Sequence, residues 1–146
     1  MKDTQSFVGH AGYHRRFVRM YADVALPLTH LTRPSQPFLW SSSANQSFQY
    51  LKHRLTTAPI LITPDWSVTF HVHTDASLTA VGAVLTQPSQ ECNLETPIYY
   101  ASRLLNKAEQ NYSTIEREGL AIVYALQKFC HYLLAIKFTM ITDHHA

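Results

Sequence analysis

At residue 68 the hydrophobic period of the chain changes, and no other feature limits the fold as much. Before it, apolar residues recur at helical spacing. Residues 4–20, TQSFVGHAGYHRRFVRM, put Phe7, Ala11, His14 and Val18 roughly on one side of a helix. Residues 22–33 read as a second short helix, bent or begun at Pro27. A loop with two prolines, RPSQPF, follows. A third helix then runs from a serine cap among Ser41–Ser43, with Phe48, Leu51 and Leu55 as its stripe. It should stop before Pro59. After residue 68 the pattern alternates. VTFHVHTD reads as a strand, AVGAVLTQ as its antiparallel neighbour and PIYYASR as a third strand, with PSQECNLET as a polar loop between the last two. STIEREGLAIVYALQKFCHYLL is a strong helix, and KFTMITD a last strand with apolar residues on both faces, as buried parallel strands have. Three helices, three strands, a helix and a strand predict a mixed α/β fold.

A chain of 146 residues is one domain, or one domain and an appendage, and buries roughly two thirds of its unfolded surface. A hydrophobic share of 46% against 15% charged excludes a disordered chain. The net charge of +2 says little about partners, but its distribution does. Five Lys or Arg stand against two acids in residues 1–40, and seven against eight in residues 51–146, so the N-terminal end is the basic one. Cys92 and Cys130 form no C-x-x-C pair and read as free thiols in a reducing compartment. No secretory segment and no run of about 18 apolar residues occurs, which predicts an intracellular, cytoplasmic protein without a membrane span.

Three acids occupy unexpected places. Asp75 and Asp143 each follow a threonine at a strand end, in TDAS and TDHH. On parallel neighbouring strands both would emerge at the carboxyl edge, where ligands of such sheets collect. A single aspartate there could merely form a turn. On the long helix, Ser113 and Glu116 have the spacing of a capping box, which accounts for Glu116. Glu118 shares a face with Ile122, Ala125 and Phe129, the face that should lie on the sheet. A carboxylate there is costly unless a cation meets it, and the sheet-facing strand residues supply none. Three converging carboxylates without a basic partner point to Mg²⁺ or Mn²⁺, two ions in sites that run in-line phosphoryl displacements. Small Ala76, Ser77 and Gly82 would let a bulky backbone come close.

These residues resemble a known family. TDAS, VGAVLTQ, PIYYASRLLNKAEQNYSTIEREGLAIVYALQKFCHYLL and FTMITDHHA, in that order, resemble the ribonuclease H domain of gypsy-type LTR-retrotransposon polyproteins. FVGHAGYHRRFVRMYADVALPLTHLT and PFLWSSSANQSFQYLKHRLTTAPIL resemble the end of the reverse transcriptase thumb and its connection. The resemblance implies a helical thumb and connection segment over residues 1–58. It implies a ribonuclease H-like mixed sheet over 59–146, with three antiparallel strands and a parallel strand after a helix. It implies that Asp75, Glu118 and Asp143 are the catalytic, metal-holding residues and that the RNA strand of an RNA–DNA hybrid is cut. It further implies the rest of the polyprotein as a partner, element particles as a further possible location, and no small-molecule cofactor. The paired-aspartate signature of the polymerase site is absent; YADV carries one Asp. The family domain also continues past the TDH match with a strand, a helix and a fourth acid, whereas this sequence stops at Ala146. His14 stands for a usual Tyr and His145 for a usual Lys.

Other expectations compete. His71 and His73 share a strand face with Asp75, a spacing zinc can use with His144, though solvent-facing histidines are the plainer reading. YHRRFVR mixes bases and aromatics, which suits phosphate contact through Arg15 and Arg16; the alternative is a solvated basic face with Tyr13 and Phe17 packed inward. Ser77, Arg103, Asn106 and His144 are candidates for substrate contacts. Tyr99, Tyr100, Tyr124 and Phe129 are assigned to packing. Against the nuclease stands a truncated, non-catalytic remnant that at most binds nucleic acid, with residues 138–142 as an unpaired edge.

Overall fold

The apolar stripe of the longest helix decides the architecture. In the computed structural model, which describes residues 1–34, 36–57, 61–89, 94–134 and 136–142, helix α5 spans Thr114–Leu133. Ala121, Ala125, Phe129 and Leu133 recur along it at four-residue spacing and all are buried. Its start is the expected capping box: Ser113 Oγ accepts from Glu116 N at 3.3 Å, and a Glu116 carboxylate oxygen accepts from Ser113 N at 2.8 Å.

The stripe lies on a sheet of β1 (Phe70–Ala76), β2 (Ala80–Pro88), β3 (Glu95–Leu104) and β4 (Phe138–Thr142), in the order β3-β2-β1-β4. The first three strands pair antiparallel and β4 runs parallel to β1, which is a ribonuclease H-like sheet. Phe70, Val72, Ala83, Leu85 and Ala101 face α5 and form one core with Ala125, Phe129 and Leu133. Each large side chain there contributes roughly 1.5–3 kcal/mol of burial. Alternation turns His71, His73 and Asp75, with their partners Thr86, Val84 and Gly82, to the other face. β3 begins at Glu95, inside the stretch expected to be loop.

β4 corrects one expectation. It is one of the two edge strands of the described sheet, β3 being the other, with Phe138, Thr139 and Thr142 exposed. Its apolar residues split between two half-covered faces: Met140 packs on the core and Ile141 lines a groove on the opposite side.

The helical part precedes the sheet. It comprises α1 (Lys2–Tyr13), a 3₁₀ turn over Arg15–Phe17, α2 (Tyr21–Val24), α3 (Leu26–Leu31) and α4 (Ser42–Thr56). Ala11, Val18, Tyr21, Ala25, Leu28, Leu31, Ala44 and Leu51 make its own core. Ser41 caps α4, its Oγ accepting from Ala44 N at 3.2 Å. Pro27 sits in the first turn of α3, where its missing amide costs nothing. The helix ends at Thr56; Pro59, its expected stop, lies outside the described residues.

The single helix expected over 4–20 does not form. α1 ends at Tyr13, and Met20 adopts the left-handed conformation with φ 50°. That turn brings residues 19–23 across the sheet face opposite α5. Arg19 meets Asp75, Ala22 N donates to Ser102 Oγ at 3.0 Å, and Thr79 Oγ1 donates to Asp23. Met20 covers Gly82 so closely that a Cβ there would stand 2.1 Å from its sulfur. The colliding atom is the far end of a flexible side chain that can swing aside, so Gly82→Ala is expected to lower the unfolding free energy by about 1 kcal/mol at most. Adding Met20→Ala should recover most of that loss in urea unfolding; strictly additive losses would show that the contact is unimportant.

Candidate functional site

The carboxyl end of β1 is the meeting point of the helical segment, the sheet and the start of α5. Asp75 is the last residue but one of β1 and its carboxylate is 41% exposed. Its Oδ2 accepts from Arg19 Nη2 at 2.9 Å. This corrects the premise of a carboxylate without a basic partner. The strands indeed supply none; the cation comes from 56 residues earlier in the chain.

Glu118 lies on α5 one turn before Ala121, on the sheet-facing side, with its Oε2 buried. The turn carrying it is fastened to the end of β1: Arg117 donates from Nη1 to Ser77 O at 3.0 Å. Thr142 pairs with Thr74 in the parallel β1–β4 register. Asp143, the next residue and the third expected acid, lies outside the described residues, as does His144. Two of the three expected acids can therefore be placed, Asp75 near the end of β1 and Glu118 in the first turns of α5.

The donor set decides whether a divalent ion fits here. Asp75 offers a hard oxygen, but its Oδ2 is engaged by a guanidinium. Among the described residues no three His, Cys, Asp or Glu side chains form a group that could hold a metal ion. In this arrangement the described residues do not fit one: Arg19 engages Asp75 Oδ2, and no further described donors group with that carboxylate.

Ser77, Arg103 and Asn106 have internal partners. Ser77 Oγ accepts from Thr79 N at 3.2 Å and Ala80 N at 2.9 Å, closing the β1–β2 turn. Arg103 grips Glu109 with two nitrogens, at 2.7 and 2.9 Å, and lies over the Tyr124 ring. Asn106 Oδ1 accepts from Ala108 N and Glu109 N, both at 2.9 Å. Arg15 and Arg16 are exposed on the 3₁₀ turn, and Arg16 also stacks on Phe17 at 5.0 Å. Tyr13 is 83% exposed rather than packed inward, since α1 ends there. Burial pushes the Tyr124 hydroxyl pKa up, as its packing role implies.

The histidine pair is not solvent-facing as expected. His71 Nδ1 lies 2.5 Å and His73 Nε2 3.9 Å from the Glu95 carboxylate, and Thr86 donates to the same group. Burial works to raise the Glu95 pKa, but the bonds from Thr86 and His71 and the charge of both imidazoles outweigh it and bring it below the usual range. A zinc site with His144 falls outside the described residues. Arg19, Glu95 and Gln87 were missed. The buried Gln87 amide ties down the 65–68 turn, donating to Asp65 O at 2.6 Å and Val68 O at 2.9 Å and accepting from Asp65 N at 3.0 Å. Its place in an alternating strand is the one signal that could have been read. Cys130 is a free, exposed thiol, and Cys92 lies outside the described residues.

A mixed sheet of this order, with one helix on its inner face, defines the ribonuclease H-like class. The family model described as an RNase H-like domain found in reverse transcriptase matches residues 40–140. Over 99% of its length the chain is 43% identical to the Pol polyprotein of transposon opus of Drosophila melanogaster. It is 41% identical over 94% to that of transposon 412 of the same organism, and 33% over 98% to the Tf2-3 polyprotein of Schizosaccharomyces pombe. It spans 15%, 11% and 11% of those proteins. The chain belongs to the RNase H-like domain family of retrotransposon reverse transcriptases. Its fold is shared with foamy viral protease-reverse transcriptase: TM-score 0.79 at 21% identity for the dRH form in complex with ds DNA, covering 100% of this chain and 25% of that one. The complex with an RNA/DNA hybrid gives 0.77 at 21% identity, covering 99% and 20%. Among the described residues no helix is long and apolar enough to cross a membrane.

The Arg103–Glu109 pair makes a pH prediction. The Arg103 hydrogen bonds, and then the Asn106 N–H, hold the Glu109 carboxyl below its usual pKa. A carboxylate depressed on folding stabilises above its unfolded pKa, and that contribution disappears as pH falls through the folded value. The stability gap between the unaltered chain and Glu109→Gln should thus be open at neutral pH and narrow below the usual carboxylate range. Urea midpoints over a pH series measure it, and a pH-independent gap would refute it.

Proposed function

We propose that this chain is a nucleic-acid-binding module of a retroelement reverse transcriptase which, in the arrangement described, does not cut. The observation carrying this reading is the Arg19–Asp75 contact, which commits the strand-end carboxylate to a guanidinium. Arg15, Arg16 and Arg19 lie exposed within five residues of each other, a local basic surface suited to phosphates. Retrotransposon Pol polyproteins as relatives support this reading, as does the shared fold with proteins solved on ds DNA and on an RNA/DNA hybrid. Residues 1–58 would serve as thumb and connection and 59–146 as the ribonuclease H-like part, acting in the cytoplasm beside the rest of the polyprotein.

A second reading is metal-dependent hydrolysis of the RNA strand of an RNA–DNA hybrid. Asp75, Glu118 and Asp143 would be its metal-holding residues, and Ser77, Arg103, Asn106 and His144 its backbone contacts. The bond from Arg117 to Ser77 favours it, since it fastens the Glu118 turn to the end of β1. Mg²⁺ or Mn²⁺ in such sites supplies water activation and stabilises the leaving oxygen. One experiment separates the readings. A labelled RNA–DNA hybrid is titrated with the chain in a mobility-shift assay, then incubated with Mg²⁺ beside Asp75→Asn. Retention is expected, with Arg15→Ala/Arg16→Ala weakening it and lowering the salt slope by about two. No cutting above the Asp75→Asn control is expected. Cutting above it would replace the first reading by the second, and absence of retention would overturn the first.

A further inference from the structure

We infer that Arg19 is the built-in cation of Asp75, so that its guanidinium and a divalent ion compete for one carboxylate. The inference rests on the reading above and names the residue that keeps such an ion off this site. The contact is a single one, Arg19 Nη2 to Asp75 Oδ2 at 2.9 Å, between side chains 58% and 41% exposed. An ion from solvent can therefore reach the carboxylate, and the guanidinium can leave it without breaking the core. What favours Arg19 is delivery. Met20 is seated on Gly82, Ala22 N is bonded to Ser102 and Asp23 to Thr79, so the backbone beside Arg19 is fixed over the end of β1. A tethered cation acts at high effective concentration without forming a strong bond. The nearby Arg117 is bonded to Ser77 O and Thr114 Oγ1, so it is not the group that meets Asp75.

Removing Arg19 should then expose the carboxylate. Mn²⁺ binding to the full chain is measured by electron paramagnetic resonance of the free ion, with no nucleic acid present. Arg19→Gln is expected to bind Mn²⁺ about fivefold more tightly than the unaltered chain, the scale of an exposed ion pair. Arg19→Lys, which keeps the charge, should stay near the unaltered value, and Arg19→Gln/Asp75→Asn should lose the gain. Equal affinity in Arg19→Gln and the unaltered chain, or a gain that survives Asp75→Asn, would overturn the inference. A second measurement needs no variant. The Arg19 Nε–Hε resonance should move toward that of free arginine as Mg²⁺ is added, and a resonance that stays fixed while Mg²⁺ rises would equally overturn it. Because both titrations omit nucleic acid, their failure leaves the hybrid-retention result standing, and loss of hybrid retention leaves them intact.

Discussion

The seating of residues 19–23 on the carboxyl end of the sheet is the constraint from which the rest follows. Met20 holds a left-handed backbone that costs a non-glycine residue roughly 1–2 kcal/mol. No single contact offsets that strain securely; an exposed ion pair such as Arg19–Asp75 is worth about 1 kcal/mol at most. Together with Ala22–Ser102, Asp23–Thr79 and the Met20–Gly82 contact, it fixes the turn. The sheet is then covered by α5 on one face and, at this end, by the helical segment on the other. Two hydrophobic clusters that share no buried residue are thereby joined through polar and close-packed contacts at one edge.

What the sequence makes legible is what is local. α5 declares itself by a capping box and a four-residue stripe, and β1 and β2 by alternation, so their pairing and the inward face of Glu118 can be read from the residues. The parallel placement of β4 follows from the helix between it and the hairpin. The break after Tyr13 is not legible, because residues 4–20 keep a helical period through it and only the distant sheet favours the turn. Arg19 gives no signal either: an exposed arginine near a helix end looks the same whether it faces water or an aspartate 56 residues away. Glu95 is hidden for the same reason, since its partners His71 and Thr86 come from two other strands. The acids are readable as a motif, and their partners only from the fold.

Three carboxylates here show how the partner, rather than the acid, sets the role. Glu109 is 13% exposed, receives two nitrogens of Arg103, and also accepts from Asn106 N at 2.8 Å. A planar guanidinium fork on a shielded carboxylate is directional and hard to replace. Glu95 is shared among His71, His73 and Thr86, so no one partner holds it alone. Among the described residues Asp75 has one side-chain hydrogen bond, more solvent than Glu109, and a cation carried by another segment. Of the three it is the acid whose counter-ion can be exchanged without loss of neighbouring hydrogen bonds.

That difference bears on what a domain of this class can become. Its fold fixes where acids emerge from the sheet but leaves open which cation meets them. A ligand that binds both states of a carboxylate equally shifts nothing; only differential affinity does. If Arg15 and Arg16 draw phosphates, as proposed, the exposed Arg19 lies three residues further along the chain from Arg16. Whether the strand-end acid serves as an anchor for the helical segment or as a ligand is then decided by competition at a single guanidinium, while the sheet and α5 stay as they are.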